Sequence, residues 1–180
     1  MAITFIVGGA RSGKSQFAER RALMLAKRQP RPVYYIATAT AGDTEMQQRI
    51  DHHQQRRPDD WLLSEEPIYL ARAITDTAYN AIVLVDCLTL WLNNLLLQFD
   101  QELLLAEKEK LLTSLNQISC DGLKEIILVS NETGLGIVPV GELSRRFIDE
   151  SGWLHQTIAQ QADNVIFTVA GLPQVLKGNS

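Results

Sequence analysis

Short apolar runs alternate along the chain with stretches in which apolar residues recur every three or four positions. Residues 3–7 (ITFIV) form such a run, closed by glycines, and predict a buried strand. Residues 33–37 (VYYIA), 81–85 (AIVLV), 125–129 (EIILV) and 165–169 (VIFTV) predict four more. Their apolarity is continuous and not alternating, as in strands covered on both faces. Between them, residues 14–28 carry Phe17, Ala18, Arg21, Met24, Leu25 and Arg28 at helical spacings. Residues 44–57 predict a second helix, with Thr44 and Gln47 in a capping box and Pro58 as its stop. Pro67 opens a third through Ile68, Ala71 and Ile74. Residues 88–97 and 103–118 are helical in pattern, with a polar break at Asp100 and Gln101. A loop is expected over 130–139, which holds Gly134, Gly136 and Pro139. Residues 141–151 and 153–162 read as two helices separated by Gly152, and the tail from Gly171 as a fraying end.

Five strands separated by helices predict a doubly wound, mainly parallel α/β sheet, in one domain over residues 1–180. A chain of 180 residues buries enough surface for a core without metal or disulfide staples. Its 46% hydrophobic and 21% charged residues make a globular composition. The net charge of −4 argues against a general nucleic-acid or anionic-membrane surface. No apolar run approaches the roughly 18 residues of a membrane-spanning helix. The first residues, MAITFIVGG, lack the basic segment of a signal peptide. Cys87 and Cys120 have no metal-ligand spacing, so a reducing cytoplasm is the expected compartment.

Candidate chemistry begins where the first strand ends. Gly8, Gly9, Ala10, Arg11, Ser12, Gly13, Lys14 and Ser15 fit the pattern Gly-x4-Gly-Lys-Ser, after a predicted strand and at the start of a predicted helix. Glycines let the backbone wrap an anion, and amides at the helix start face its phosphates. Lys14 offers a point charge to the β- and γ-phosphates, and Ser15 a hydroxyl to Mg²⁺. The fold is therefore expected to be that of a phosphate-loop (P-loop) nucleoside triphosphate hydrolase, of the RecA-like type. A glycine turn with a surface lysine is the bland alternative, and in an empty loop Lys14 is expected to be exposed. Asp86, at the end of AIVLV, is the candidate second Mg²⁺ anchor; it also suits the N-cap of the helix beginning at Leu88. No Asn-Lys-x-Asp guanine reader is present, which argues against a signalling GTPase.

The three histidines are His52, His53 and His155. The first two lie on one predicted helix and point about 100° apart, so they do not serve one site equally. A neutral imidazole beside Arg56 and Arg57 can attack phosphorus while the arginines hold anionic oxygens. Two solvated polar residues on an Arg- and Gln-rich helix are the alternative.

Taken together, GGARSGKS, YIATA, RIDHHQQRRPDDW, the Glu65-Glu66-Pro67 stretch, VDCLTLWLNNLL, SNETGLGIVP and RRFIDESG…ADNVIFTVAG span nearly the whole chain. In that order they resemble the bifunctional adenosylcobinamide kinase / adenosylcobinamide-phosphate guanylyltransferase family. The resemblance implies two reactions. ATP or GTP phosphorylates the aminopropanol hydroxyl of adenosylcobinamide. GTP then guanylylates an enzyme histidine, which passes GMP to adenosylcobinamide phosphate. It implies that His53 is that histidine, and it implies nucleotide contacts at Ala37, Thr38, Ala39, Gln54, Gln55, Arg56, Arg57 and Glu65. A helix-start acid ahead of Pro67 is the other reading of Glu65. Asn131 and Glu132 either meet the corrinoid or cap their turn. The family often has Asn-Gln where this chain has His155-Gln156, and a second Arg where it has Ile148. His155 is accordingly read as structural. The substrates implied are small molecules, with Mg²⁺ as cofactor, and the assembly implied is a homotrimer. The apolar run at 90–97 permits an interface or a helix buried all round. The rival is another phosphate-loop small-molecule kinase without guanylyl transfer.

Overall fold

The computed structural model describes residues 3–40 and 58–178. The predicted helix at 44–57, with His52, His53 and Gln54 to Arg57, lies outside the described residues. Among the described residues seven strands form one sheet: β1 (Ile3–Gly8), β2 (Val33–Ala37), β3 (Leu62–Glu65), β4 (Ile82–Asp86), β5 (Glu125–Asn131), β6 (Asn164–Val169) and β7 (Leu172–Lys177). Their order is β3-β2-β4-β5-β1-β6-β7. Strands β1 to β6 are mutually parallel, and β7 returns antiparallel to β6. All six parallel strands therefore end at one edge.

The helices described are α1 (Lys14–Arg28), α2 (Leu70–Thr75), α3 (Leu88–Leu96), α4 (Gln101–Asp121) and α5 (Glu142–Gln161). The apolar runs of the central strands divide residue by residue between two faces, as the two-residue repeat of a strand requires. Phe5, Val83, Val85 and Leu128 meet α2 to α5, while Ile6, Ile82, Leu84, Ile127 and Val129 meet α1. Helix α1 approaches through Ala18 and Ala22, both fully buried. Met24, placed in the sequence pattern of this helix, is half exposed instead. Asp100, in the polar break, caps α4 by accepting from the Leu103 amide at 3.0 Å.

Three expectations are corrected. Gly152 does not separate a pair of helices, because α5 runs through it. Ser151, Leu154 and Ile158 continue one buried stripe across the glycine, and that packing outweighs its weak helix propensity of about 1 kcal/mol. Residues 172–177 of the tail do not fray but form β7, joined to β6 by the two-residue turn Ala170-Gly171 with φ of 51° and 80°. Two left-handed residues match the twist of a hairpin, but alanine at the first conceals the signal. The third correction is strand β3, which was not expected; it is an edge strand whose Leu62 and Leu63 are exposed, so it lacks the apolar run of its neighbours. The Leu-rich helix α3 resolves in favour of burial. Leu88, Trp91, Leu92, Leu95 and Leu96 are buried within the chain, leaving Leu97 exposed just beyond.

Candidate functional site

Gly8 to Ser15 wrap from the end of β1 into the first turn of α1. The loop is braced on the side of β6. Thr168 Oγ1 lies 2.9 Å from Ser12 Oγ, and the Gly171 amide donates to the Ser12 carbonyl at 2.9 Å. A Cβ on Gly8 would stand 2.4 Å from the Thr168 carbonyl oxygen, so only glycine fits there. Gly13 takes φ of 95°, which glycine adopts at little cost. Ser12 is buried, Ser15 half-buried, and Ala10 and Arg11 are exposed.

Lys14 is not the exposed residue expected of an empty loop: it is 8% exposed. Its Nζ donates to the Gly9 carbonyl at 3.2 Å, folding the side chain back over the loop. Burial lowers its pKa, while the charge of Asp86 opposes the shift. A lysine drawn from water and held against the loop backbone suits a bound anion, not a surface turn.

Asp86 ends β4, and β5 alone separates it from β1. Its Oδ2 accepts the Tyr35 hydroxyl at 2.9 Å, and the Tyr35 ring stacks on Trp61 with centroids 6.3 Å apart. The N-cap of α3 is Cys87, and it makes no side-chain cap bond. Asp86 is thus held by a phenol facing the strand end and does not serve as a helix cap. Among the described residues no three His, Cys, Asp or Glu side chains gather as a metal site. One carboxylate and one serine hydroxyl are hard oxygen donors that fit a Mg²⁺ completing its shell with phosphate oxygens and water.

Ala37 ends β2, and Thr38 and Ala39 follow it at the same edge. Thr38 is fully buried, and its hydroxyl donates to the Cys87 carbonyl at 2.7 Å and accepts from the Cys87 amide at 2.9 Å. Asn94 Nδ2 donates to the Thr38 carbonyl at 2.8 Å and to the Pro67 carbonyl at 3.2 Å. Thr38 and Asn94 therefore tie the ends of β2 and β4 together and set where Asp86 stands. Glu65 is the exposed last residue of β3, in register with Ala37. The helix-start role falls to its neighbour: Glu66 Oε1 accepts from the Ile68 and Tyr69 amides at 2.9 and 2.8 Å.

At the end of β5, Asn131 pairs with Gly8, and the Glu132 amide donates to the Gly8 carbonyl at 3.0 Å. Glu132 Oε1 caps the turn by accepting from the Gly134 amide at 2.6 Å. His155, on α5, lies behind this strand end. Its Nε2 is 2.7 Å from Ser130 Oγ, and its ring meets Phe5 edge-on at 5.4 Å. Burial lowers its pKa, with Glu132 opposing, so the ring is neutral near pH 7. Sequence reasoning missed Tyr35, Asn94, Thr168 and Gly171. Only Asn94 left a trace, as a polar residue inside the apolar run LWLNNLLL.

Over residues 4–176 the chain matches the family described as cobinamide kinase / cobinamide phosphate guanyltransferase. It is 56% identical over 174 residues to the bifunctional adenosylcobalamin biosynthesis protein CobP of Pseudomonas aeruginosa, covering 96% of each chain. To the bifunctional adenosylcobalamin biosynthesis protein CobU of Escherichia coli it is 35% identical over 186 residues, covering 96% of this chain and 98% of that one. Solved structures share the fold at low identity. The flagellar accessory protein FlaH of Methanocaldococcus jannaschii gives a TM-score of 0.56 at 16% identity, over 99% of this chain and 79% of that one. A protein of Pyrococcus horikoshii gives 0.51 at 11%, over 99% and 87%. The fold is that of the phosphate-loop nucleoside triphosphate hydrolases.

Proposed function

The chain belongs to the cobinamide kinase / cobinamide phosphate guanyltransferase family, and we propose that it carries out both reactions at the carboxyl edge of its sheet. The observation that carries this reading is Lys14, buried against Gly9 in a braced phosphate loop and acted on by the charge of Asp86. In the kinase step the loop amides and Lys14 hold the triphosphate of ATP or GTP. The acceptor hydroxyl oxygen of adenosylcobinamide attacks the γ-phosphorus, and the nucleoside diphosphate leaves. Ser15 and Asp86 are the residues that would hold Mg²⁺, which when bound neutralises phosphate charge.

In the second reaction an imidazole nitrogen of His53 attacks the α-phosphorus of GTP, forming a nitrogen–phosphorus bond and releasing pyrophosphate. A phosphate oxygen of adenosylcobinamide phosphate then displaces the histidine and takes the GMP, giving adenosylcobinamide-GDP. Gln54 to Arg57, Glu65 and the backbone of Ala37 to Ala39 contact the nucleotide in this reading. The exposed position of Glu65 beside Ala37 supports it. So does the absence of a helix-start duty there, which Glu66 performs. The assembly is a homotrimer in the same reading. Helix α3 buries all its leucines but Leu90 within the chain, which leaves it little apolar surface to offer that interface.

The test is product formation by the purified protein from adenosylcobinamide, ATP or GTP, and Mg²⁺. The wild type makes adenosylcobinamide phosphate and adenosylcobinamide-GDP. Lys14→Ala slows both reactions by at least about a hundredfold, the scale of removing one transition-state donor. Near-normal rates for Lys14→Ala would refute the phosphate-loop reading.

A further inference from the structure

We propose that Glu132 is the general base of the phosphoryl-transfer step, taking the proton of the acceptor hydroxyl as its oxygen attacks. The inference rests on the kinase reading above. A nucleotide seated on the loop after β1 places its transferred group in front of the carboxyl ends of β1 and the strands beside it. In the sheet β4, β5 and β1 are consecutive, so β5 ends between Asp86 and the phosphate loop. Glu132 is the first residue past β5, and its amide is fixed to the carbonyl of Gly8, the first glycine of that loop.

The carboxylate has one oxygen anchored and one open. Oε1 accepts from the Gly134 amide, which fixes the group on its turn. Oε2 stands 3.9 Å from His155 Nδ1. The side chain is 26% exposed, within reach of a ligand. The neighbouring imidazole is mostly enclosed, with Nε2 2.7 Å from Ser130 Oγ, and burial favours its neutral form over a cation that would hold the carboxylate in an ion pair. Among the described residues, the other carboxylates that end strands at this edge are differently placed. Asp86 receives the Tyr35 hydroxyl, and Glu65 ends β3, at the far margin of the sheet from β1.

Two features beside Glu132 point to a ligand. Asn131 Oδ1 is buried without a hydrogen-bond partner among the described residues, an acceptor waiting for a donor. Beyond Glu132, Leu135, Ile137, Val138 and Val140 are strongly exposed, an apolar surface next to the reacting end that suits the body of a large acceptor. In the step itself the acceptor oxygen forms its bond to the γ-phosphorus, and the bond from that phosphorus to the bridging β–γ oxygen breaks. The nucleoside diphosphate leaves with that electron pair. The hydroxyl proton passes to Glu132 Oε2 and from there to water.

Glu132→Gln tests the assignment, because its amide oxygen can still accept from Gly134 while the basic oxygen is gone. Three readouts are taken on the full chain: phosphorylation of adenosylcobinamide, nucleotide affinity by titration, and covalent GMP labelling. The expected result is a kinase kcat lowered by about 10²- to 10⁴-fold, with nucleotide affinity and labelling near wild type. Glu132→Asp, which keeps a carboxylate on a shorter arm, is expected to fall between the two. A Glu132→Gln kcat within about threefold of wild type, the scale of losing an ordinary hydrogen bond, overturns the proposal. Loss of nucleotide binding together with the kinase step overturns it too, since Glu132 would then only be bracing the loop. A wild type that binds nucleotide and takes the GMP label but transfers no phosphoryl group overturns the kinase reading and this inference with it.

Discussion

At the residue scale the proposed chemistry rests on Lys14 and Asp86, and residues outside the motif brace the loop under the first and hold the second. Lys14 rests on Gly9, and the glycine loop beneath it is wedged by Thr168 and Gly171. Asp86 is held by Tyr35, which is itself stacked on Trp61. Asp86→Asn keeps an acceptor for the Tyr35 hydroxyl and removes the anion. The expected result is an unchanged melting temperature and a Mg²⁺ half-saturation raised at least about tenfold, roughly 1.4 kcal/mol. An unchanged Mg²⁺ titration would contradict the metal role. His155 gives a second prediction at this scale. Its folded-state pKa lies below the ordinary 6.5 because burial disfavours the imidazolium, an effect larger than the opposing charge of Glu132. The unfolded chain therefore binds a proton here more readily than the folded one. Stability contributed by the neutral ring is present above about pH 6.5 and is lost as pH falls through and below that value. Denaturant midpoints taken from about pH 7.5 down to about pH 5.5 should fall more steeply for the wild type than for His155→Gln. Equal slopes would mean that His155 does not titrate differently on folding.

At the element scale, Gly152 shows how packing settles what propensity leaves open. Apart from its chain neighbours and the adjacent backbone of its own helix, nothing lies within 4 Å of a Cβ built on it, and it sits in the interior of α5. Gly152→Ala should therefore stabilise the chain by about 1 kcal/mol, read as a higher denaturant midpoint with an unchanged slope. A loss of stability would mean that the glycine is needed for the helix path. The same contrast explains what the sequence disclosed. Strands β1, β2, β4, β5 and β6 were legible because burial on both faces demands continuous apolar runs. Helix α1 was legible because the phosphate loop fixes its start. Strands β3 and β7 were not, because an edge strand faces water and need not show an apolar pattern. Within the site, Gly8 to Ser15 and Asp86 could be read from local spacing. Tyr35, Asn94 and Thr168 act through bonds that join residues 51, 56 and 156 positions apart, and local sequence spacing carries no record of such pairs.

On the scale of the whole molecule, parallel strands bring distant segments to one edge. Gly8, Ala37, Glu65, Asp86 and Asn131 close five neighbouring strands, so the phosphate loop, the Mg²⁺ candidate and two of the proposed nucleotide contacts, Ala37 and Glu65, share a single rim. That common rim lets one chain act on two phosphorus atoms of a nucleoside triphosphate. In the proposed mechanism the γ-phosphorus is attacked by an external hydroxyl, and the α-phosphorus by a side chain of the protein. Covalent capture of GMP separates this bifunctional reading from a simple kinase on the same fold. The decisive measurement is the intact mass of the protein after incubation with GTP and Mg²⁺, for the wild type, His53→Ala and His52→Ala. The wild type and His52→Ala should each gain one GMP, labile in acid and stable in base, and His53→Ala should gain none while still phosphorylating adenosylcobinamide. An adduct that persists in His53→Ala, or a wild type that never acquires one, would contradict the account.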